Sequence, residues 1–301
     1  MAEPLKGSDE DMSSYKTRLV CSHIRNCLSQ HRSGKKPLIV GVQGPQGSGK
    51  TTLTTGLVKS LAQQSIKVAV FSIDDLYLPF AGLEEVAQRN AGNVLLAGRG
   101  QPGTHDVELG SKILRELSGI NDGSGSTVSL PIFDKSQNGG KGDRSADSVP
   151  VSSPIDVVVF EGWCLGFASL QPNALRQRYK AGAQGDTRCY FSSHALSHLE
   201  TINANLAQLE RAWYPYLDAF VQLVPQTIET VFEWRLEAEH AMKAKNGGKG
   251  MTDEEVRGFV ERYMPGYELF AEGVTQEDAP WKGRLLRIGL DERRDVTFVE
   301  S

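Results

Sequence analysis

Wholly apolar segments alternate along the chain with stretches in which apolar residues recur every three or four positions. A continuous apolar run is typical of a strand buried on both faces of a parallel sheet, and the second spacing predicts an amphipathic helix. The predicted strands are 38–42, 67–72, 157–160, 220–224 and 285–290. The predicted helices are 12–31, a segment after Gly49 to about 63, 203–217, 227–244 and 252–269. Because the first third has the order strand, glycine-rich turn, helix, strand, we predict an α/β fold with a parallel sheet.

The segments between these elements are predicted as turns and loops. Glycine and serine dominate 119–126 and 136–148, and 246–250 forms a glycine-rich break. Thr252 with Glu255 matches a capping box, which begins the last predicted helix. No repeat or convincing linker divides the chain. We therefore predict a tail and amphipathic helix at 1–36, followed by one domain at 37–301.

Composition narrows the classes of protein that the chain can belong to. The net charge of −4 argues against a protein that binds nucleic acids without regard to sequence, since such proteins need a basic surface. No apolar run approaches the roughly 20 residues that span a bilayer. The polar, acidic start lacks the features of a secretory or transit peptide. We expect a cytoplasmic protein, with a nuclear component left open, that has no nucleic-acid or membrane partner and is a monomer or homodimer.

Cysteine usage agrees with a reducing compartment. The four cysteines form no C-x-x-C pair and no cluster with the spacing of zinc ligands, so we expect free thiols. They are Cys21, Cys27, Cys164 and Cys189.

The glycine-rich turn after the first predicted strand matches the phosphate-binding pattern G-x-x-x-x-G-K-[ST] in full. Such a loop turns successive backbone N–H groups toward phosphate oxygens, and the following helix adds its positive N-terminus. We expect Lys50 to reach the β- and γ-phosphates of ATP and Thr51 to bind Mg²⁺. The predicted ATP-binding residues are Gly44, Pro45, Gln46, Gly47, Ser48, Gly49, Lys50, Thr51 and Thr52. A glycine-rich turn without a ligand is the alternative, and the loop alone does not fix the reaction.

Carboxylates follow two other predicted strands. Asp74 and Asp75 come after the second strand, and Glu161 ends the third. Because the carboxyl ends of parallel strands face the ligand in open sheets, we assign Asp74 as the base that accepts a hydroxyl proton. Asp75 is a candidate for a water on Mg²⁺ or for a cap, and Glu161 for the metal site. The alternatives are turn-forming aspartates and a solvated glutamate at a strand end.

Several segments together resemble the D-glycerate 3-kinases and the related fungal ATP-dependent kinases of the phosphoribulokinase/uridine kinase superfamily. The similar segments cover about 38–270 and include 73–77, 98–106, 133–136, 142–144, 160–167, 248–254 and 262–267. The resemblance implies a P-loop NTPase fold like that of adenylate kinase, a three-layer sandwich around a mostly parallel five-stranded core sheet. It implies transfer from ATP to D-glycerate, with Asp74 as base. The polar stretch 173–198 departs from the shortest members, and we interpret it as loop-rich.

The resemblance also implies a pocket for the acceptor. D-glycerate carries a carboxylate and hydroxyls, and arginine or lysine is the expected partner of the carboxylate. The predicted pocket residues are Asp75, Tyr77, Arg99, His105, Asp106, Asp134, Lys135 and Arg144. For the basic residues the alternative is a solvated surface charge, and for Asp106 it is a helix cap. Acceptor alternatives are a nucleoside, pantothenate or a sugar, and a regulatory ATP-binding protein without catalysis also stays open.

A lid is predicted at about 235–252. A kinase must exclude water from the γ-phosphate, and a closing segment with cations achieves this. Arg235 is the candidate cation that contacts phosphate, whereas a connection with scattered surface lysines is the alternative. We expect Trp234 to pack in the core and not to stack on adenine.

Overall fold

The computed structural model describes residues 9–31, 35–184, 189–245 and 247–301, and only the backbone of 9–14 and 183. The start of the predicted tail, part of the turn after the first helix, part of the polar stretch and the first residue of the glycine-rich break lie outside the described residues.

A six-stranded sheet forms the centre of the molecule, in the order β2-β5-β1-β6-β7-β8. Its strands are β1 (Leu38–Gln43), β2 (Val68–Ser72), β5 (Val157–Gly162), β6 (Ala219–Pro225), β7 (Leu285–Leu290) and β8 (Val296–Glu300). The first five are parallel, which confirms the predicted five-stranded core, and β8 adds an antiparallel edge that the sequence analysis did not predict. A separate hairpin consists of β3 (Thr127–Asp134) and β4 (Asp143–Ser152).

Helices cover both faces of the sheet. They are α1 (Asp9–Gln30), α2 (Lys50–Ala62), α3 (Phe80–Arg89), α4 (Val107–Ser118), α5 (Pro172–Gln184), α6 (Leu196–Trp213), α7 (Thr230–Lys245), α8 (Asp253–Glu261) and α9 (Met264–Phe270). Alternate residues of β1 enter two different cores, because successive side chains of a strand point to opposite faces. Ile39 packs with α4, α6 and α9, and Val40 packs with α1 and α2. This arrangement is the predicted three-layer α/β sandwich.

The N-terminal helix is part of one of these layers. Val20 and Ile24 of α1 are fully buried in the same cluster as Leu57 of α2 and Val40 of β1. The backbone at Gly56 leaves room for α1, since a Cβ there would lie 2.8 Å from the hydroxyl of Thr17. None of the described helices is long and apolar enough to cross a membrane.

Three predictions about secondary structure were wrong in part. Residues 143–148, predicted as loop, lie in β4, whose side chains are mostly exposed and so lack the alternating pattern of a half-buried strand. Most of the described part of 173–198 is helical, in α5, a 3₁₀ turn at Tyr190–Ser193 and the start of α6. The predicted helix at 252–269 is divided into α8 and α9. Pro265, the second residue of α9, has no N–H to donate to the preceding turn, so the hydrogen bonds of α8 do not continue through it.

Candidate active site

The phosphate-binding loop joins β1 to α2 in the conformation that its glycines permit. Gly47 and Gly49 have φ values of 75° and 89°, which side-chain-bearing residues rarely adopt. A Cβ on Gly47 would also lie only 2.7 Å from the backbone carbonyl carbon of Trp234 in α7. The loop is therefore packed tightly against α7. The amides at the start of α2 are available for an anion, since a helix N-terminus leaves its first N–H groups without helical partners.

Lys50 lies across its own loop. Its Nζ donates to the carbonyl oxygens of Gly44 at 2.8 Å and Pro45 at 3.1 Å. Burial lowers the pKa of Lys50, and the negative charges of Glu161 and Asp74 act in the opposite direction. Lys50 is thus brought into electrostatic contact with both carboxylates that the sequence analysis placed at this edge of the sheet. Thr51 and Thr52 follow on the exposed first turn of α2.

Asp74 lies in a 3₁₀ turn, Ile73–Leu76, directly after β2. Tyr77 donates its hydroxyl to Oδ1 of Asp74 at 2.9 Å, and Lys135 donates Nζ to Oδ2 at 2.6 Å. Burial raises the pKa of Asp74, but the Lys135 charge and the two hydrogen bonds outweigh it and make the net shift a lowering. Asp74 is therefore an ionised carboxylate at neutral pH, as a base must be.

Glu161 is the penultimate residue of β5 and lies beside Ser72 of β2, whose hydroxyl hydrogen-bonds to it. Its Oε2 is buried and has no hydrogen-bond partner among the described residues. Burial raises the pKa of Glu161, and the charge of Lys50 only partly offsets this effect. A buried carboxylate oxygen without a partner, close to the phosphate-binding loop, fits a cation or a water bound to a cation.

The β3–β4 hairpin brings three of the predicted pocket residues to the same edge. Lys135 reaches Asp74, and Arg144 donates to the carbonyl oxygen of Tyr77 at 2.8 Å and to Asp106 at 3.1 Å. Asp134 accepts hydrogen bonds from Ser136 and Gln137 within its own turn. The hairpin therefore directs Lys135 and Arg144 toward the site, whereas the contacts of Asp134 stay local.

Arg99 contacts the tip of this hairpin. Its Nη1 donates to the carbonyl oxygen of Gly140 at 2.7 Å and to that of Lys141, and its guanidinium lies 5.8 Å from the ring centroid of Phe133. A Cβ on Gly142 would lie 3.2 Å from Nη1 of Arg99, so this glycine allows the approach. Among the described residues, the hydrogen bonds of Arg99 use Nη1, and a guanidinium has further N–H donors that can bind an acceptor.

His105 lies beneath Tyr77. The two rings stack with centroids 4.6 Å apart, and both ring nitrogens of His105 are buried without a hydrogen-bond partner among the described residues. Burial lowers the pKa of His105 to about 4, so the imidazole is neutral at pH 7.

Asp106 accepts from the amide of Leu109 at 3.0 Å and is the N-cap of α4, which confirms the alternative that it caps a helix.

Asp75 binds the β3–β4 hairpin, a contact that its position in the sequence did not indicate. Its Oδ1 accepts a hydrogen bond from the amide of Phe133 at 3.1 Å. Burial raises the pKa of Asp75, and the amides of Phe133 and Ser72 oppose the shift. Asp75 thereby ties the hairpin that carries Lys135 to the turn that carries Asp74.

The junction of α8 and α9 supplies residues that the sequence analysis did not assign to the site. Arg262 donates to the carbonyl oxygens of Gly98 and Arg99 at 3.4 and 3.3 Å, and its Nε is buried without a partner among the described residues. Tyr263 hydrogen-bonds Gln46, and its pKa is raised to about 12, mainly by burial. Both residues belong to the segment 262–267 that resembles the kinase family. Nothing in the local sequence of that segment indicated that it lies near the phosphate-binding loop.

Arg235 follows Trp234, whose backbone lies against Gly47, so the predicted lid begins beside the phosphate-binding loop. The guanidinium donates to Oε2 of Glu239 at 2.7 Å. Glu239 is almost fully buried and also accepts from the amide of Met251 at 2.8 Å. Trp234 is fully buried, which confirms that it packs in the core. A phosphate contact of Arg235 stays a prediction.

Comparison with known proteins identifies the family of the chain. No family model matches the chain. A solved structure of a D-glycerate 3-kinase from Cryptococcus neoformans var. grubii matches with a TM-score of 0.89 and 42% identity, over 95% of this chain and 98% of that one. The chain belongs to the family of D-glycerate 3-kinases and related fungal ATP-dependent kinases. This finding confirms the resemblance and the P-loop kinase fold that its motifs predicted.

Two curated members of this kinase family show how the similarity is distributed. The chloroplastic D-glycerate 3-kinase of Arabidopsis thaliana is 37% identical over 266 residues, which cover 86% of this chain but 54% of the relative. This chain therefore matches only about half the length of the plant protein. The uncharacterized kinase mug58 of Schizosaccharomyces pombe is 38% identical over 262 residues, 86% of this chain and 90% of the relative.

Proposed function

We propose that this chain is an ATP-dependent D-glycerate 3-kinase, which transfers the γ-phosphoryl group of ATP to a hydroxyl of D-glycerate to give 3-phosphoglycerate and ADP. The observation that carries the proposal is the position of Asp74, whose ionised carboxylate interacts with Lys50 of the phosphate-binding loop and pairs with Lys135 at 2.6 Å. A base, a phosphate-binding lysine and a cation for an acid group thus share one site. The 42% identity to a D-glycerate 3-kinase across nearly the whole chain supports this acceptor.

In the proposed reaction, the acceptor oxygen forms a bond to the γ-phosphorus while the bond from that phosphorus to the β–γ bridging oxygen of ATP breaks. Asp74 takes the proton of the acceptor hydroxyl, and ADP leaves with the bridging oxygen. Tyr77 orients the carboxylate of Asp74 through its hydrogen bond. Lys50 and the amides at the start of α2 neutralise the phosphate charge, which is the main contribution that a protein makes to phosphoryl transfer.

Magnesium is part of the proposal. Thr51 on the first turn of α2 and Glu161, with its unpartnered buried Oε2, would hold Mg²⁺ or its waters. No group of three His, Cys, Asp or Glu residues in the described parts of the chain lies together to hold a metal. The ion would therefore depend on the phosphates of ATP for most of its ligands, as magnesium commonly does in kinases. When bound, it would offset the charge that develops on the β- and γ-oxygens.

The cations of the pocket favour an acceptor with an acid group. Lys135 pairs with Asp74, the proposed base. Arg99 and Arg262 lie together at the edge formed by the hairpin and the α8–α9 junction. A neutral nucleoside has no group that requires three cations, whereas a carboxylate pairs well with arginine and lysine. D-glycerate is thus favoured over the neutral nucleoside and sugar alternatives. Pantothenate also carries a carboxylate, and the 42% identity to a D-glycerate 3-kinase favours D-glycerate over it. The cytoplasmic location and the monomeric or dimeric state stay predictions.

The test is a coupled ADP-release assay with Mg²⁺ and a panel of D-glycerate, L-glycerate, glycerol, uridine and pantothenate, with ³¹P NMR of the product. We expect D-glycerate to give the highest kcat/KM and phosphorylation at the terminal hydroxyl.

The role of Asp74 is tested by mutation. Asp74→Asn should lower kcat by about 10²- to 10⁴-fold, the usual range for a general base, while ATP affinity stays within twofold. Asp147→Asn, at an exposed position of β4, is the control. ADP release with D-glycerate no faster than with water would reject the acceptor, and full activity of Asp74→Asn would reject the base.

A further inference from the structure

The two oxygens of the Asp74 carboxylate have different donors. Oδ1 accepts from the hydroxyl of Tyr77, and Oδ2 accepts from the ammonium of Lys135. A carboxylate that is paired with a cation is a weaker base than the same carboxylate with neutral donors, because the cation favours its ionised form. The residue that is to take a proton from the acceptor is therefore held in a weakly basic form by its own neighbour.

The two donors differ in how easily they can leave. Tyr77 is 2% exposed, and its ring is fixed between His105 and Phe133. The side chain of Lys135 is 54% exposed, and a solvated lysine loses little when it exchanges one anionic partner for another. Lysine also has a flexible stem and no directional preference like that of arginine. Tyr77 is thus a permanent partner of Asp74, whereas Lys135 is an exchangeable one.

The position of the Lys135 backbone is fixed at the same time. Asp75 accepts from the amide of Phe133, and Arg144 donates to the carbonyl oxygen of Tyr77, so the hairpin is joined to the turn after β2 on both of its strands. Asp143 adds a third link, because it accepts from the amide of Phe80 at 2.8 Å. Lys135 can therefore swing its ammonium without leaving the site.

We propose that Lys135 is a specificity-determining residue that makes the base available only when the acceptor carries an acid group. The carboxylate of the acceptor takes the ammonium from Oδ2 of Asp74, and the released oxygen then receives the proton of the acceptor hydroxyl. This inference rests on the proposed function, since it assigns Asp74 as base and an anionic acceptor. It goes beyond that function because it links recognition of the carboxylate to activation of the hydroxyl.

The linkage has a consequence for molecules without an acid group. Water and glycerol offer no partner for the ammonium, so Asp74 remains paired and weakly basic in their presence. The pair would thereby reduce both wasteful ATP hydrolysis and transfer to neutral alcohols. A lysine that only binds the carboxylate, without restraining Asp74, would change neither of these side reactions.

The experiment compares Lys135→Met, which removes the charge at similar length, with Lys135→Arg and with the control Lys112→Met. Lys112 is exposed on α4 and pairs with Glu116. Each purified full-length variant is assayed with D-glycerate, with glycerol and with no acceptor, and thermal unfolding verifies the fold. For Lys135→Met we expect kcat/KM for D-glycerate to fall at least 30-fold, while ATP hydrolysis and the rate with glycerol rise two- to tenfold. Lys135→Arg should stay nearer to wild type in both respects.

A pH profile provides a readout that a purely structural role would not change. The acidic limb of the glycerol or hydrolysis rate should move to higher pH in Lys135→Met, since removal of the cation raises the pKa of Asp74. Equal losses with both acceptors and an unmoved acidic limb would overturn the inference. Wild-type turnover of D-glycerate decides the proposed function separately, so the two failures are distinguishable.

Discussion

The guanidinium of Arg294 donates a hydrogen bond from Nε to the carbonyl oxygen of Gly47, 2.7 Å away. Arg294 belongs to the turn between β7 and β8 and lies over the indole of Trp234, 5.2 Å from its centroid. It also pairs with Glu237 at 2.7 Å. The Nζ of Lys16 in α1 donates to the carbonyl oxygen of Arg294 at 2.6 Å. The β7–β8 turn thus binds the phosphate-binding loop directly, and α1 stabilises that turn through Lys16.

We expect Arg294→Ala to weaken ATP binding while leaving the acceptor site intact. A hydrogen bond from a charged donor contributes about 1.5–3 kcal/mol, which corresponds to a roughly 10- to 150-fold higher Kd for ATP if the loop loses its conformation. Isothermal titration calorimetry would measure the change. Arg293→Ala, at the exposed neighbouring position, is the matched control. An ATP Kd within twofold of wild type would show that the loop does not need this contact.

A second prediction concerns the metal. Glu161→Gln keeps the shape of the side chain but removes the charge that would attract Mg²⁺ or its waters. We expect the Mg²⁺ concentration that gives half-maximal activity to rise at least tenfold. Stability should be retained, because burial already raises the pKa of Glu161 and the neutral amide avoids the cost of a buried charge. Glu84→Gln, which removes a partly exposed pair with Lys141, is the control. An unchanged Mg²⁺ requirement would exclude Glu161 from the metal site.

The elements that the sequence analysis identified are those with local signals. The phosphate-binding loop depends on its own glycines, and Asp74 and Glu161 follow strands whose apolar runs identify them. Parallel strands that share one sheet must bring such residues to one edge. The core sheet and the centre of the site could therefore be predicted without knowledge of long-range contacts.

The parts that were missed depend on contacts between distant segments. The β4 strand of the hairpin is exposed along most of its length, so its sequence carries no pattern of burial, and its pairing with β3 alone defines it. Arg262 and Tyr263 reach the site because Pro265 separates α8 from α9 and the chain turns back toward Gly100. The pairing of Lys135 with Asp74 likewise needs the tertiary position of the hairpin. Sequence periodicity contains none of this information.

A third prediction uses the buried imidazole of His105. Its pKa is lowered to about 4, against about 6.5 in the unfolded chain, so the unfolded state binds a proton first as the pH falls. The free energy of unfolding should therefore decrease between pH 6.5 and 4, by at most about 3 kcal/mol from this group. His105→Phe keeps an aromatic ring against Tyr77 and should flatten that dependence, as measured by urea unfolding across this pH range.

His240→Phe is the control, because it removes an exposed histidine of α7 and so gives the effect of losing a histidine outside the acceptor pocket. A decrease of equal size in His105→Phe would contradict the assignment to His105. The same variant tests the acceptor pocket. If the ring nitrogens of His105 meet the hydroxyls of the acceptor, His105→Phe folds normally and its KM for D-glycerate rises.

Glu239 leads to the last prediction, because one buried carboxylate holds both ends of the predicted lid. It pairs with Arg235 at 2.7 Å and accepts from the amide of Met251 at 2.8 Å. Removing one partner of a buried pair leaves the other uncompensated, so we expect Glu239→Ala to lower the free energy of unfolding by about 3–5 kcal/mol. Glu239→Gln keeps an acceptor for the amide of Met251 and should lose less.

Urea unfolding at pH 7 and 25 °C measures the stability of both variants, and ATP titrations measure their nucleotide affinity. Glu254→Gln, at an exposed position in the first turn of α8, is the control. The kinetic result separates the two interpretations of 235–252. If the segment is a lid that presents Arg235 to phosphate, Glu239→Gln lowers kcat and raises ATP hydrolysis relative to transfer, because the released segment no longer excludes water. If it is only a connection between helices, Glu239→Gln loses stability while both rates stay at the wild-type level.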